Sequence, residues 1–247
     1  MANISFAGDM RYYDVEVIVI ENLSEEQKNS ENWPLQVNLT LPEKTVQLGE
    51  PVPREWLPEE VDLKLSYKVL SPRTYQLKNE VERIAKSKTQ RVIFHTAWRQ
   101  PGLDKNQALP IYFKREVPAA PPVEDDNSSS LNDEITSTSD TNKADATSSI
   151  LEGLLRVTLA RYLHLEAELT YRDTPPAIVK SDNPFSILDN ENERNKVQKQ
   201  GVIHLKQKRR RIRSNELHYI DHPVLGILIR ITPYEKPEDL TNKVKKK

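Results

Sequence analysis

Residues 150–172, ILEGLLRVTLARYLHLEAELTYR, carry an apolar side chain at almost every second position. A period of two gives a strand one apolar face, whereas a helix needs spacings of three and four. A helical stripe also fits part of the segment, but Gly153 and the β-branched Val157 are unfavourable inside a helix. The segment therefore predicts β-structure. Because it is too long for one ordinary strand, we expect a bend at Arg161 and Tyr162.

Other parts of the chain have the β-branched and aromatic content of strands. These segments are residues 12–20, 90–98, 109–117, 201–208 and 224–231. Between residues 21 and 70, prolines are too frequent for a long regular element. One helix is predicted at residues 73–88, after the start signal Ser71-Pro72, because its apolar residues form a single stripe. The fold class expected is α+β, with one mainly antiparallel β-sheet, at least one packing helix and a long disordered insertion.

Composition limits the number of domains. A chain of 247 residues with 36% hydrophobic content can bury one core, so residues 10–247 are predicted to form a single α+β domain. Residues 118–149, rich in Asp, Ser and Thr and free of aromatic residues, predict a disordered acidic insertion within it. Residues 235–247 predict a loose basic tail. There is no cysteine, which excludes disulfides and thiolate chemistry.

The most basic part of the chain is KQKRRRIR at residues 206–213. The formal net charge of the whole chain is only -1, so positive charge is concentrated here and does not cover the molecule. One interpretation is a solvated strand face held by acidic neighbours such as Glu166 and Glu168. Another is a binding face whose guanidinium groups grip carboxylates. A third is a nucleic-acid-binding module that uses these cations against phosphates.

Aromatic and imidazole side chains near the basic run complete the candidate site. Tyr162 and Tyr219 are candidates for stacking on sugar rings, whereas Trp98 is expected to pack in the core. The candidate binding residues are Arg209, Arg210, Arg211, Arg213, His218, Tyr219, Tyr162 and His164.

Arg161 interrupts an apolar face and would need a partner if it were buried, so we predict a structural pair between Arg161 and Glu216. His218, His222 and Asp221 could in principle hold zinc. Pro223 argues against the helix that would bring them together, so histidines bonded to the backbone are the preferred interpretation and no metal is expected. No nucleophile elbow, phosphate loop or HExxH pattern occurs, so we expect neither catalytic residues nor a cofactor.

Four segments together resemble the successive motifs of the CsiV family. They are RYYDVEVIVIEN, FHTAWRQPG, LARYLHLEAEL and RRRIRSNELHYIDHPVLGILIRITPY, in that order along the chain. The resemblance implies a periplasmic protein of a Gram-negative bacterium that binds peptidoglycan. It also implies activation of a bifunctional penicillin-binding synthase through that enzyme's outer-membrane lipoprotein activator. The carboxylates expected to meet the arginines would then belong to stem peptides or to an acidic protein patch.

The start of the chain bears on location. The family's signal peptide is missing here, but Ser5, Phe6 and Ala7 have the small-x-Ala form that ends a secretory signal. The expectation is a missing or truncated signal peptide. No apolar run approaches the length of about 18 residues that a membrane span requires.

Overall fold

The computed structural model describes residues 10–28, 31–118, 149–173 and 201–236. Most of the predicted insertion, the tripeptide at residues 5–7 and the tail beyond residue 236 lie outside the described residues. The strands are β1 (Tyr12–Asn22), β2 (Val46–Gln47), β3 (Lys68–Val69), β4 (Gln90–Pro101), β5 (Ile111–Val117), β6 (Ser149–Leu159), β7 (Leu163–Asp173), β8 (Ile203–Ile212), β9 (Leu217–Ile220) and β10 (Leu225–Tyr234). The helices are α1 (Glu25–Lys28) and α2 (Lys78–Ala85), with short 3-10 turns at Arg54–Trp56, Leu63–Leu65 and Pro72–Thr74.

The strands form two five-stranded sheets, with the orders β3-β4-β1-β10-β9 and β2-β5-β6-β7-β8. We call them sheet A and sheet B. Every pairing is antiparallel except that between β2 and β5. The α+β class and the mainly antiparallel pairing are thus confirmed, with one correction: the strands divide between two sheets where one was expected.

The two-sheet arrangement follows from β1, which is apolar on both faces. Val15, Val17 and Val19 belong to the large core that contains side chains of both sheets, while Ile18 and Ile20 belong to a smaller core beneath α2. A strand buried on both sides needs cover on both sides, and here sheet B supplies one cover and the helix the other.

Specific contacts join the sheets inside the large core. Phe94 of sheet A stacks on Phe113 of sheet B with ring centroids 4.1 Å apart. The buried Gln100 side chain accepts a hydrogen bond from the Trp98 indole N–H at 2.8 Å and donates to the Val157 carbonyl at 3.0 Å. Trp98 therefore packs in the core, as predicted, and its polar atom has a partner.

Residues 149–173 form a β-hairpin. β6 and β7 pair along their whole length, and the chain reverses at Ala160, whose N–H donates to the Tyr162 carbonyl at 3.0 Å. The predicted strands are confirmed, and the expected bend is a complete turn. Gly153 faces the Phe113 ring so closely that an added Cβ would overlap it, which explains why a glycine occupies the middle of a strand.

The helix is shorter than the predicted 73–88 because a carboxylate from sheet A fixes where it begins. Glu16 of β1 is buried and accepts the backbone N–H groups of Gln76 at 2.7 Å and Leu77 at 3.0 Å. It also bonds His95 Nε2 at 2.8 Å. Two donors that a longer helix would use are thus consumed at its start, where a negative charge also suits the helix dipole.

Replacing Glu16 tests this anchor. Glu16→Ala would leave the buried Leu77 N–H and the partly buried Gln76 N–H without their acceptor, so we expect a loss of about 2–4 kcal/mol in the free energy of unfolding, measured by denaturant titration. The exposed Glu59 offers a matched control, because Glu59→Ala should change stability little. A cost below about 0.5 kcal/mol for Glu16→Ala would refute the anchoring role.

The same anchor predicts a dependence on pH. Burial alone would raise the pKa of Glu16, but the hydrogen bonds from His95, Gln76 and Leu77 outweigh it, and the pKa lies below its ordinary 4.5. The stabilisation is therefore present above pH 4.5 and disappears as pH falls through the lower folded-state pKa. Denaturation curves recorded at a series of pH values give the free energy of unfolding. Glu16→Gln should lack this part of the loss of stability in acid.

Candidate binding face on sheet B

The arginine-rich strand β8 lies beside β7, which begins directly after the hairpin turn at Arg161 and Tyr162. β7 pairs with β8 so that His164 faces Arg211 and Glu168 faces Lys206. Alternate residues of β7 are buried in the core, namely Leu163, Leu165, Ala167 and Leu169. Since successive side chains in a strand point to opposite faces, His164, Glu166 and Glu168 lie on the outer face of sheet B.

A β-bulge increases the positive charge on this outer face. Leu165 pairs with Arg210 and Ala167 pairs with Gln207, so two residues of β8, Lys208 and Arg209, oppose one residue of β7. A regular ladder would offer one residue opposite Glu166. The bulge offers two cations there and redirects them toward the same region.

An open groove of about 450 Å³ runs across the outer face at the bulge. Its lining is Pro42, Lys105, Pro110, Leu154, Arg156, Glu166, Ala167, Glu168, Lys206, Gln207, Lys208 and Arg209. Apolar rings and methyl groups alternate there with charged groups. We use the name β7–β8 face for this groove together with Tyr162, His164 and Arg211.

The carboxylates of the face are already paired, though not with the arginines that the solvated-strand interpretation proposed. Glu166 binds Arg156 of β6. Glu168 binds Lys206 at 3.0 Å and His204 at 2.9 Å, and these bonds lower its pKa although burial would raise it. These pairs span neighbouring strands and hold the acidic groups in place.

Several cations of the face are left without a carboxylate. Among the ion pairs of the described residues, none includes Lys208, Arg209, Arg211 or Lys105. Arg209 and Arg211 are both exposed. The face can therefore accept anionic ligands without first breaking an internal ion pair.

Tyr162 and Arg211 form one end of the face. The guanidinium carbon of Arg211 lies 3.4 Å from the centroid of the Tyr162 ring. Such an exposed cation–π contact contributes about 0.5–1 kcal/mol, and it holds the guanidinium flat with its N–H edges available. Tyr162 therefore positions an arginine, and its ring is less available for the sugar stacking that was predicted.

His164 lies opposite Arg211, and its environment disfavours a positive charge. Burial lowers the pKa of His164, and the nearby Arg209 and Arg211 lower it further. Its Nδ1 atom is buried without a hydrogen-bond partner among the described residues. Both effects favour the neutral form of the imidazole.

Other predicted site residues lie away from the face. Tyr219 is in β9 of sheet A, where its hydroxyl donates to Asp221 at 3.1 Å and its ring covers Gly226. His218 accepts the Arg213 N–H at 3.0 Å and thus stabilises the turn between β8 and β9. The structure does not bring Tyr219 together with the arginine run.

The predicted pair between Arg161 and Glu216 does not form. Arg161 is exposed in the hairpin turn and needs no buried partner. The described ion pairs of Glu216 are with Arg213 at 3.6 Å and His218 at 4.0 Å. The strand pattern placed Arg161 on an apolar face because it did not include the turn.

The histidines considered for zinc are bonded to the backbone. His222 Nδ1 accepts the N–H groups of Val224 and Leu225, both at 3.3 Å, and burial lowers its pKa. Within the part of the chain that the structure describes, no group of three His, Asp or Glu residues is arranged to hold a metal ion.

Sequence reasoning missed the far wall of the groove. Lys105, Pro42 and Pro110 come from irregular segments distant in sequence, and only the three-dimensional fold brings them to β7 and β8. The β-bulge was missed as well. Arg156 could have been found, because it stands on the polar side of the β6 alternation and directly opposite Glu166 in a hairpin that closes at residues 160–162.

The fold and this face define a two-sheet protein with a cationic surface on sheet B. The chain matches the family model described as "Peptidoglycan-binding protein, CsiV" over residues 1–234 and therefore belongs to the CsiV family. Membership in a peptidoglycan-binding family associates the chain with the cell envelope.

No curated protein and no solved structure matches it. Across the described segments, no helix has the length and apolar character of a membrane span.

The electrostatics of the face can be tested at His164. Removing the Arg209 charge should raise the pKa of His164 toward its ordinary 6.5, because one of the two cations that disfavour the imidazolium is lost. The measurement is an NMR titration of the imidazole signals in Arg209→Gln. Arg213→Gln serves as the control and should leave the pKa of His164 in place. An unchanged value in Arg209→Gln would contradict the described geometry.

Proposed function

We propose that this protein is a non-catalytic periplasmic accessory protein that binds peptidoglycan through the β7–β8 face. We also propose that it activates a bifunctional peptidoglycan synthase through the synthase's outer-membrane lipoprotein activator. The observation that carries the first proposal is the group of cations without carboxylate partners beside the groove, on a member of a peptidoglycan-binding family.

The chemistry of peptidoglycan suits this face. Its stem peptides carry free carboxylates, and a guanidinium fork binds a carboxylate through two parallel hydrogen bonds. Arg211 is held flat on Tyr162 and Arg209 projects from the bulge, so two such forks stand on neighbouring positions of one strand face. The groove volume of about 450 Å³ lies within the usual range of ligand sites.

The size of the face suits an oligomeric ligand. From Tyr162 to Glu168 the β7 chain advances by about 20 Å at roughly 3.3 Å per residue. Leu154, Pro42 and Pro110 provide apolar surface for the carbon faces of sugar rings or for peptide side chains. A polymer segment that carries both carboxylates and amphipathic rings would use both parts of this surface.

Charge reversal tests the peptidoglycan site. We expect Arg209→Glu combined with Arg211→Glu to reduce retention on purified sacculi by about tenfold or more, because two charge-assisted contacts become repulsive. Lys64→Glu, an exposed lysine of a 3-10 turn, makes a matched control that should bind normally. Circular dichroism and thermal unfolding would verify that the double variant is folded. Undiminished retention of the folded double variant would remove the β7–β8 face from the proposal.

Competition distinguishes the ligands. Soluble stem-peptide fragments should displace the protein from sacculi, and a DNA duplex should not. Glu166 and Glu168 lie within the face and would oppose a phosphate backbone. Displacement by DNA with affinity falling steeply as salt increases would favour the nucleic-acid alternative.

Activation of the synthase is tested separately. In a reconstituted assay of glycan polymerisation, the protein should raise the rate when the synthase and its lipoprotein activator are both present. It should have no effect on the synthase alone, and it should release no product from peptidoglycan in the absence of the synthase. Equal stimulation with and without the activator would exclude the indirect route.

A further inference from the structure

The long edge strand of sheet B offers a second surface, distinct from the outer face. Of the strands at the edges of the described sheets, β2 and β3 have two residues each and β9 has four, whereas β8 has ten. A long edge strand presents unpaired N–H and C=O groups to other chains, and proteins usually shorten or cover such edges. β8 is an exception that needs an explanation.

The backbone of β8 is available on the side away from β7. Among the described residues, residues 206–211 make no backbone–backbone hydrogen bond other than those of the β7 pairing. The Lys208 carbonyl accepts a hydrogen bond from the side chain of Gln207 on the same strand. The Gln207 side-chain amide thus bonds a backbone carbonyl to which an added strand could donate instead.

The beginning of this strand already pairs with an extended segment. The Val202 N–H, one residue before β8, donates to the Pro34 carbonyl at 2.7 Å. Trp33 lies against Gly201, where an added Cβ would overlap it. An extended piece of chain thus reaches the start of the strand, and the following residues continue without such a neighbour in the described structure.

Arg210 places a positive charge at the open edge of β8. It pairs with the fully buried Leu165, so its side chain leaves β8 toward the core side of the sheet, yet it is exposed. It must therefore emerge at the open edge between the sheets. With Arg209 and Arg211 on the outer side, a strand added here would meet positive charge on both of its faces.

These charges determine which kind of strand could pair with the edge of β8. A second copy of β8 would bring like charges opposite each other and be repelled, and a neutral strand would bury cations without compensation. A strand with acidic side chains would gain opposite-charge pairs on both faces while its backbone completes the ladder. We propose that residues 206–211 of β8 accept an extended acidic segment of a partner protein as an added strand. This interaction goes beyond peptidoglycan binding and does not depend on it.

The probe is a ten-residue capped peptide that repeats Glu-Glu-Thr-Thr, so that Glu lies on both faces of the added strand, and it is added to the full-length protein without peptidoglycan. Strand addition predicts that every second amide of residues 206–211 becomes slow in hydrogen exchange, as followed by NMR, because only amides facing away from β7 acquire new partners. Amides of β7 that are already paired should not change. A peptide of identical charge with every backbone nitrogen methylated should not produce the protection.

Variants separate edge pairing from simple charge attraction. Arg210→Glu should weaken peptide binding by about tenfold, since an attractive pair becomes repulsive. Lys64→Glu should not change it. The proposal is overturned if the acidic peptide does not bind, if the methylated peptide binds as well as the parent, or if no alternating protection appears. None of these results bears on retention by sacculi, so each proposal can fail alone.

Discussion

The buried row of β7 determines where the charged groups of β7 and of its neighbour β8 lie. Leu163, Leu165, Ala167 and Leu169 fill the space between the sheets, and each large apolar side chain contributes about 1.5–3 kcal/mol on burial. A slip of one residue would turn this row to solvent and drive Glu166 and Glu168 into the core without partners. The register is therefore strongly specified, and the positions of the outer-face residues follow from it.

The ion pairs of the outer face fix the positions of the acidic side chains and add little to the free energy of unfolding. Half-exposed pairs such as Glu168 with Lys206 contribute on the order of 1 kcal/mol or less, and salt screens them. Their effect is to occupy the acidic groups with Arg156, His204 and Lys206, so that the cations of the bulge keep their charge for a ligand. The solvated-strand interpretation expected Glu166 and Glu168 to hold the arginines of residues 209–213, but these acids pair with Arg156, His204 and Lys206.

Much of this could be predicted from local pattern. The strands and the buried Trp98 follow from alternation and composition, because a half-buried strand imposes its period on the sequence. Alternation does not determine which strands pair, so the neighbourhood of β7 and β8 is known only from the structure. The division into two sheets is implied by β1, whose residues are apolar on both faces, but a single strand does not reveal what covers each side.

The remaining features depend on relations that local pattern does not contain. The helix begins late because Glu16, some sixty positions earlier in the chain, accepts the N–H groups of Gln76 and Leu77. The predicted pair between Arg161 and Glu216 is wrong because the sequence pattern indicates a bend at Arg161, whereas the chain makes a complete turn there. Lys105 reaches the groove only through the course of an irregular segment, which carries no periodic signal.

Strand β8 has to meet two different requirements in this fold, exposed arginines and an edge protected from unspecific strand pairing. Its sequence reflects both. On the outer face, the proposed peptidoglycan site requires that Arg209 and Arg211 remain exposed, which argues against covering the strand. At the edge, the same exposure would invite indiscriminate strand pairing, and the bulge together with Arg210 opposes pairing with neutral or basic strands. Charge at an edge strand is usually considered as protection alone. In β8 the protection is specific in sign, so the charges that exclude most strands would also recognise the proposed acidic strand.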